Sequence, residues 1–149
     1  PMTFINLSGK SVSAIMRKHY LQPSEIIVFH DEVDMALGRF RMATGRSAAG
    51  HNGIRSIYQL ASTDVRRGRM GVGHPGEKGA VKAAVLADFH PAERPAVNAL
   101  VKACVDALPF LVDGNDERYQ NEVMRLAPAP KSDPRNPPPS PTTPPKENT

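Results

Sequence analysis

Apolar residues recur along this chain with two different periods, and the changes between them mark out the elements. Val12, Ile15, Met16 and the pair His19/Tyr20 lie three and four apart, the stripe of an amphipathic helix, with Ser8 placed as its N-cap and Gln22-Pro23-Ser24 as its stop. Residues 1–6 before it are extended in character. Ile26-Ile27-Val28-Phe29 is a continuous, β-branched-rich run of strand length, which predicts a central strand buried on both faces. Arg39-Phe40-Arg41-Met42-Ala43 alternates polar with apolar, as a half-exposed strand does. Helical spacing returns over 54–61 at Ile54, Ile57, Tyr58 and Ala61, and 67–72 reads as a further strand.

The clearest helical stripe runs through Val97, Leu100, Val101, Cys104, Val105, Leu108 and Leu111, opened by Pro91, tolerating Pro95 near its first turn and closed at Gly114. Residues 116–126 predict one more short helix with Tyr119, Val123 and Leu126 inward. Residues 80–87 are apolar but too short to assign, and suit a lid or a docking segment. The order helix–strand–strand–helix–strand–helix points to an α/β sheet covered by helices, without internal repeats.

Composition changes that picture at one end. Nine of the 15 prolines follow residue 126, and that stretch has almost no large apolar side chain. Residues 1–126 are long enough to bury a core, whereas 127–149 cannot offset the entropy of ordering and read as a disordered Pro-rich tail. One cysteine, Cys104, excludes an internal disulfide; its place in a helical stripe makes it a core residue. No apolar run is long enough to cross a bilayer, and no signal peptide is visible, though the sequence opens on Pro1 and reads as a fragment.

Net charge is +4, unevenly spread: seven arginines (Arg39, Arg41, Arg46, Arg55, Arg66, Arg67, Arg69) face one acid, Asp64, between residues 38 and 70. That local excess suits phosphates as well as a merely solvated face. Sparse aromatics, with no Trp, argue against a stacking platform for single strands.

Two stretches carry candidate chemistry. Gly45-Arg46-Ser47-Ala48-Ala49-Gly50-His51-Asn52-Gly53 joins a strand to a helix, so His51 and Asn52 fall where free N–H groups and the helix dipole favour an electron-rich oxygen. Asn52 could hold a carbonyl or water without changing charge, or serve only as an N-cap. His30-Asp31-Glu32-Val33-Asp34 lies beyond the carboxyl end of a strand, where α/β sheets bind ligands. A metal site there is disfavoured because no second ligand pair with metal-type spacing occurs. Gly71-Val72-Gly73-His74-Pro75-Gly76 is a second possible rim.

Four separated segments resemble bacterial-type peptidyl-tRNA hydrolase: Pro1-Met2-Thr3-Phe4-Ile5-Asn6-Leu7-Ser8-Gly9-Lys10, His30-Asp31-Glu32-Val33-Asp34, Gly50-His51-Asn52-Gly53 and Arg69-Met70-Gly71-Val72-Gly73-His74-Pro75-Gly76. The resemblance covers about residues 1–125 and implies a mixed twisted sheet flanked by helices in three αβα layers. It implies a monomeric, cytoplasmic esterase that frees tRNA from peptidyl-tRNA, gripping the acceptor stem and 3′ end, with no metal or cofactor. Position by position, Asn6 and Asn52 match asparagines that hold the substrate near the scissile ester. Phe4 matches a contact to the tRNA end, Asp31 the acid that orients the catalytic histidine, and His51 a supporting histidine. Arg41, Arg67 and Arg69 suit acceptor-stem phosphates, recognised by shape rather than sequence. The chemistry is consistent, since ester hydrolysis needs a base for water and donors for the developing oxyanion.

The departures concern the base. The family's catalytic histidine belongs to a Thr-Arg-His-Asn segment that would precede Pro1, and none of His19, His30, His51, His74 or His90 matches it. The expectation is therefore an incomplete hydrolase domain, inactive by itself. Ile5 in place of the usual Met, and Arg46-Ser47-Ala48-Ala49 in place of a more Gly-rich loop, look tolerable. The rival readings are a non-catalytic RNA-binding module derived from that fold and an unrelated hydrolase using His30 or His74 as base.

Overall fold

A computed structural model describes residues 2–74 and 87–135. A short 3-10 turn (Ile5–Leu7) leads into α1 (Ser8–His19), and a second turn (Pro23–Glu25) leads into β1 (Ile27–Glu32). Then come β2 (Phe40–Ala43), α2 (Asn52–Leu60), β3 (Arg66–Gly71), α3 (Arg94–Asp106), α4 (Leu108–Val112) and α5 (Asp116–Leu126). Among the described residues the sheet runs β1-β3-β2. β1 is parallel to β3, with Ile27 opposite Arg66 and Glu32 opposite Gly71; β2 is antiparallel to it, with Phe40 opposite Met70.

Helices cover both faces, giving the expected mixed sheet in three layers. On one side α2 seats Ile54 and Ile57 against Val65, with Val12 of α1 and Val28 of β1 packed around them. On the other, Phe40 and Met42 of β2 meet Leu100, Ala103 and Cys104 of α3 and Tyr119 and Val123 of α5. Tyr119 satisfies its buried hydroxyl by donating to the Cys104 carbonyl at 2.8 Å, as an aromatic with a polar tip must when fully enclosed.

The strand order departs from expectation. Ile26-Ile27-Val28-Phe29 reads as a central strand, yet β1 flanks the described sheet and Phe29 is 40% exposed. The centre belongs to the arginine- and glycine-rich β3. Gly68 explains how: Phe29 and Phe40 from the flanking strands stack with ring centroids 6.2 Å apart, directly over it. A Cβ at Gly68 would come within 2.8 Å of the Phe29 ring and 3.2 Å of the Phe40 ring. The apolar cover that β3 lacks in its own side chains is supplied by its neighbours.

Smaller differences have local causes. Ser8 is the first helical residue of α1 rather than its cap; its hydroxyl donates back to the Ile5 carbonyl at 2.7 Å and closes the preceding turn. Ile15 and Tyr20 of the predicted stripe are exposed, because α1 is gripped at its start instead, where the Gly9 N–H donates to Ser56 Oγ at 3.0 Å. The long C-terminal stripe divides at Ala107 into α3 and α4, leaving Val101, Val105 and Leu108 exposed. Gly114, at φ +78°, ends α4 as anticipated, and Asn115 then caps α5 by accepting the Arg118 N–H. Along α5, Tyr119 and Val123 point inward as predicted, but Leu126 is exposed and Ala127 is the residue that turns in.

The first residues beyond 126 meet the fold at three points. Ala127 lies in the core, Pro130 sits against Gly38, and Arg135 bonds Glu93 at 3.3 Å. Residues 127–135 are thus laid on the fold, since a few well-placed contacts suffice where composition alone predicts none. The remainder of the predicted tail, 136–149, lies outside the described residues, as do residues 80–86 of the segment proposed as a lid.

Candidate functional site

The carboxyl end of β1 and the amino end of α2 meet at one place, and the loop between β2 and α2 makes the meeting possible. Ala49 and Gly50 both take positive φ (47° and 78°), a conformation glycine adopts freely and alanine only under constraint. The chain then reverses through a His51 N–H bond to the Ala48 carbonyl at 2.9 Å and enters the helix.

His51, not Asn52, is the N-cap. Its Nδ1 accepts the Ile54 N–H at 3.2 Å, so Nδ1 carries no hydrogen. The ring proton of the neutral imidazole therefore sits on Nε2, which donates to Asp31 Oδ1 at 3.0 Å. This bond holds the Asp31 carboxyl below its ordinary pKa, against the opposing effect of partial burial. The pair is graded in exposure, 15% for the His51 side chain and 39% for that of Asp31. With both ring nitrogens engaged, His51 is placed to support and orient rather than to abstract a proton.

Asn52, the first residue of α2, is exposed beside this pair. The turn carrying Asn6 is packed onto the same helix: a Cβ on Gly53 would lie 3.0 Å from Ile5 Cγ1 and 3.1 Å from the His51 ring. Gly53 thus lets Ile5 and His51 close over one spot, which brings the exposed Asn6 to the start of α2. Phe4, just ahead of the turn, is also exposed. The fold bonds Asp31 to His51 across 20 residues, sets Asn52 next in the chain to His51, and packs the turn that contains Asn6 on the same helix.

The three arginines assigned to phosphates fare differently. Arg41 is exposed on β2. Arg69, opposite it in the ladder, is committed to the buried Glu32, with Nε and Nη2 at 3.1 and 3.0 Å from Oε2. Arg67 is 2% exposed and points into the layer beneath α2, where its Nη1 lies 3.0 Å from His30 Nε2. An enclosed guanidinium cannot reach a phosphate on a macromolecule, so Arg67 leaves the candidate contact set. Arg39, Arg46 and Arg55 are exposed and keep the basic character of this region.

His30, which the sequence offers only as a disfavoured metal ligand or as the base of a rival hydrolase, is buried, with Nδ1 2.7 Å from the Asp31 carbonyl. The sequence ends this strand at Phe29, whereas β1 continues to Glu32, and the Arg67 and Arg69 that meet His30 and Glu32 depend on the register with β3. His74 is exposed at the end of the second rim, whose Pro75 and Gly76 lie outside the described residues. Among the described residues no cluster of three or more His, Cys, Asp or Glu could hold a metal, and no helix is long and apolar enough to cross a membrane.

Comparison with known proteins bears on what this arrangement serves. A family profile described as Peptidyl-tRNA hydrolase matches residues 1–132. The chain is 57% identical over 137 residues to the peptidyl-tRNA hydrolase of Caulobacter vibrioides (strain NA1000 / CB15N), covering 92% of this chain and 67% of that one. It is 56% identical over 135 residues to the one from Phenylobacterium zucineum (strain HLK1), covering 91% and 65%. The crystal structure of peptidyl-tRNA hydrolase from Acinetobacter baumannii matches with a TM-score of 0.79 at 33% identity, over 87% of this chain and 66% of that one. The chain spans about two thirds of the length of these relatives.

Proposed function

The chain belongs to the peptidyl-tRNA hydrolase family, and from that premise we propose that it serves to cleave the ester between a peptide and tRNA, with Asp31, Asn6 and Asn52 in the reacting site. The observation that carries the reading is the Asp31–His51 bond at the start of α2, where an imidazole N–H keeps a carboxylate ionised. Asn52 follows His51 in the chain, and the exposed Asn6 lies in the turn packed on the same helix.

Each group has a task that its chemistry suits. Asp31 suits fixing the tautomer of the base imidazole, a second histidine and not His51, and stabilising the cation formed when that base takes a proton from water. The Asn6 and Asn52 amides donate to carbonyl oxygen and accept from water without adding charge, which suits an ester and its attacking water. His51 supports by holding Asp31 and capping α2. Phe4 offers an apolar contact for the 3′ end, and Arg41, among the exposed arginines, a contact for acceptor-stem phosphates. In this reading the protein acts as a monomer in the cytoplasm and requires no metal or cofactor.

The alignment with relatives over nine tenths of the chain gives no support to the expectation that the 149 residues are inactive. A hydrolysis assay on peptidyl-tRNA tests both points. Turnover that falls about 100-fold or more in Asp31→Asn, and falls also in Asn6→Ala and Asn52→Ala, supports the assignment. Turnover indifferent to all three overturns it.

A further inference from the structure

Behind the Asp31–His51 pair lies a second, fully enclosed pair that the proposed chemistry does not use. Arg67 is buried, and no carboxylate pairs with it among the described residues. Its guanidinium lies 5.7 Å from the centroid of the Tyr58 ring, its Nε has no hydrogen-bond partner, and its Nη1 lies 3.0 Å from His30 Nε2. A guanidinium can only donate, so His30 Nε2 has to accept and the imidazole proton has to be on Nδ1. That Nδ1–H then donates to the Asp31 carbonyl at 2.7 Å. The tautomer follows from the donor inventory alone.

His30 also touches the other half of the pair. Its ring meets that of His51 edge to face, with centroids 4.9 Å apart. His30 therefore holds the Asp31 backbone and the His51 ring at once, while those two residues are bonded to each other. Protonating His30 would set a second cation against Arg67 and break the bond between them. Burial is the main cause that lowers its pKa to about 4; the charges of His51 and Arg67 act in the same direction, while the Asp31 carbonyl bond and Glu32 oppose them.

We propose that His30 is a positioning residue: locked by Arg67 with its hydrogen on Nδ1, it sets the orientation of the Asp31–His51 pair from behind. The proposal rests on the reading of that pair as part of the site. A histidine that merely fills the core would satisfy its polar atoms without engaging both members.

The test uses the 149-residue protein with ¹⁵N-labelled histidine, recording ring-nitrogen NMR signals from pH 5 to 8, so it does not depend on turnover. The expected result is a single neutral His30 with its hydrogen on Nδ1 throughout, bonded on Nε2. A His30 that titrates near the ordinary imidazole midpoint, or carries its hydrogen on Nε2, overturns the proposal. In His30→Leu the His51 ring signals should move, and in His30→Gln, whose amide can accept from Arg67, they should return toward the parent. Unmoved His51 signals in His30→Leu count against positioning. If that variant does not fold, Arg67→Met carries the test: loss of the single Nδ1–H form supports the lock, and its retention overturns it. On peptidyl-tRNA, His30→Leu should lower kcat by about 10- to 100-fold with KM little changed, as small misplacements of a catalytic group do. Parent protein that gives the expected ring signals but is indifferent to Asp31→Asn refutes the esterase reading alone.

Discussion

His51 reaches Asp31 with its Nε2–H, 3.0 Å from Oδ1, only because its other nitrogen already accepts the Ile54 N–H that opens α2. One side chain thus ends a loop, starts a helix and holds a carboxylate. The two duties can be separated by substitution. Asparagine caps helices well but cannot span the distance to Asp31, so His51→Asn should cost little stability, whereas His51→Ala should lose about 1 kcal/mol. Both should lower turnover alike. Chemical denaturation beside the hydrolysis assay would read the two effects independently.

The buried His30 makes stability depend on pH. Its pKa is about 4 in the folded chain against 6.5 when free, so between those values the unfolded state binds more protons than the folded one. Stability is then fully present above about pH 6.5 and is lost as pH falls toward 4. The whole shift corresponds to roughly 3 kcal/mol. Urea unfolding at pH 7 and pH 4.5 should show the loss, and His30→Gln should flatten it. A parent curve that is level across this range contradicts the burial argument.

Gly9 sets how closely α1, and the turn carrying Asn6, approach α2. A Cβ there would fall 2.1 Å from the Ser56 carbonyl oxygen, a backbone atom with little room to give. Gly9→Ala should therefore destabilise by about 3 kcal/mol and reduce turnover beyond what the fraction folded explains, because the turn that contains Asn6 is pushed off α2. Denaturation midpoints and rates on the folded fraction are the measurements.

Arg41 and Arg67, both candidates for phosphate contact by sequence, should now behave differently. Arg41→Ala should weaken tRNA binding without affecting the fold, and reduce the slope of log affinity against log salt by about one. Arg67→Ala should lower stability and leave the salt slope of the folded fraction alone. Titrations at several salt concentrations, with circular dichroism on each variant, distinguish them.

Much of the architecture was legible beforehand. The helix over residues 116–126 declared itself through Tyr119 and Val123, and Gly114 marked the stop before it. The loop ending at His51-Asn52 and the stretch 30–34 both read as ligand-facing, and the fold bonds His51 of the one to Asp31 of the other. The apolar run 26–29 reports that a strand is there, but not what lies across from it.

What the sequence by itself determined is local: where the period is two or near four, where glycine or proline interrupts it, and which four segments bear a family likeness. Those signals arise from interactions within a turn of helix or a few strand positions, so they survive without knowledge of the fold. Only the tertiary structure decided that β3 rather than β1 takes the centre among the described strands, that Arg67 is enclosed by His30, 37 residues away, and that His51 captures Asp31 across 20 residues. Such pairings depend on strand register and on the space left by Gly9, Gly53 and Gly68, and no stretch of chain encodes a distance to a partner it has not yet met.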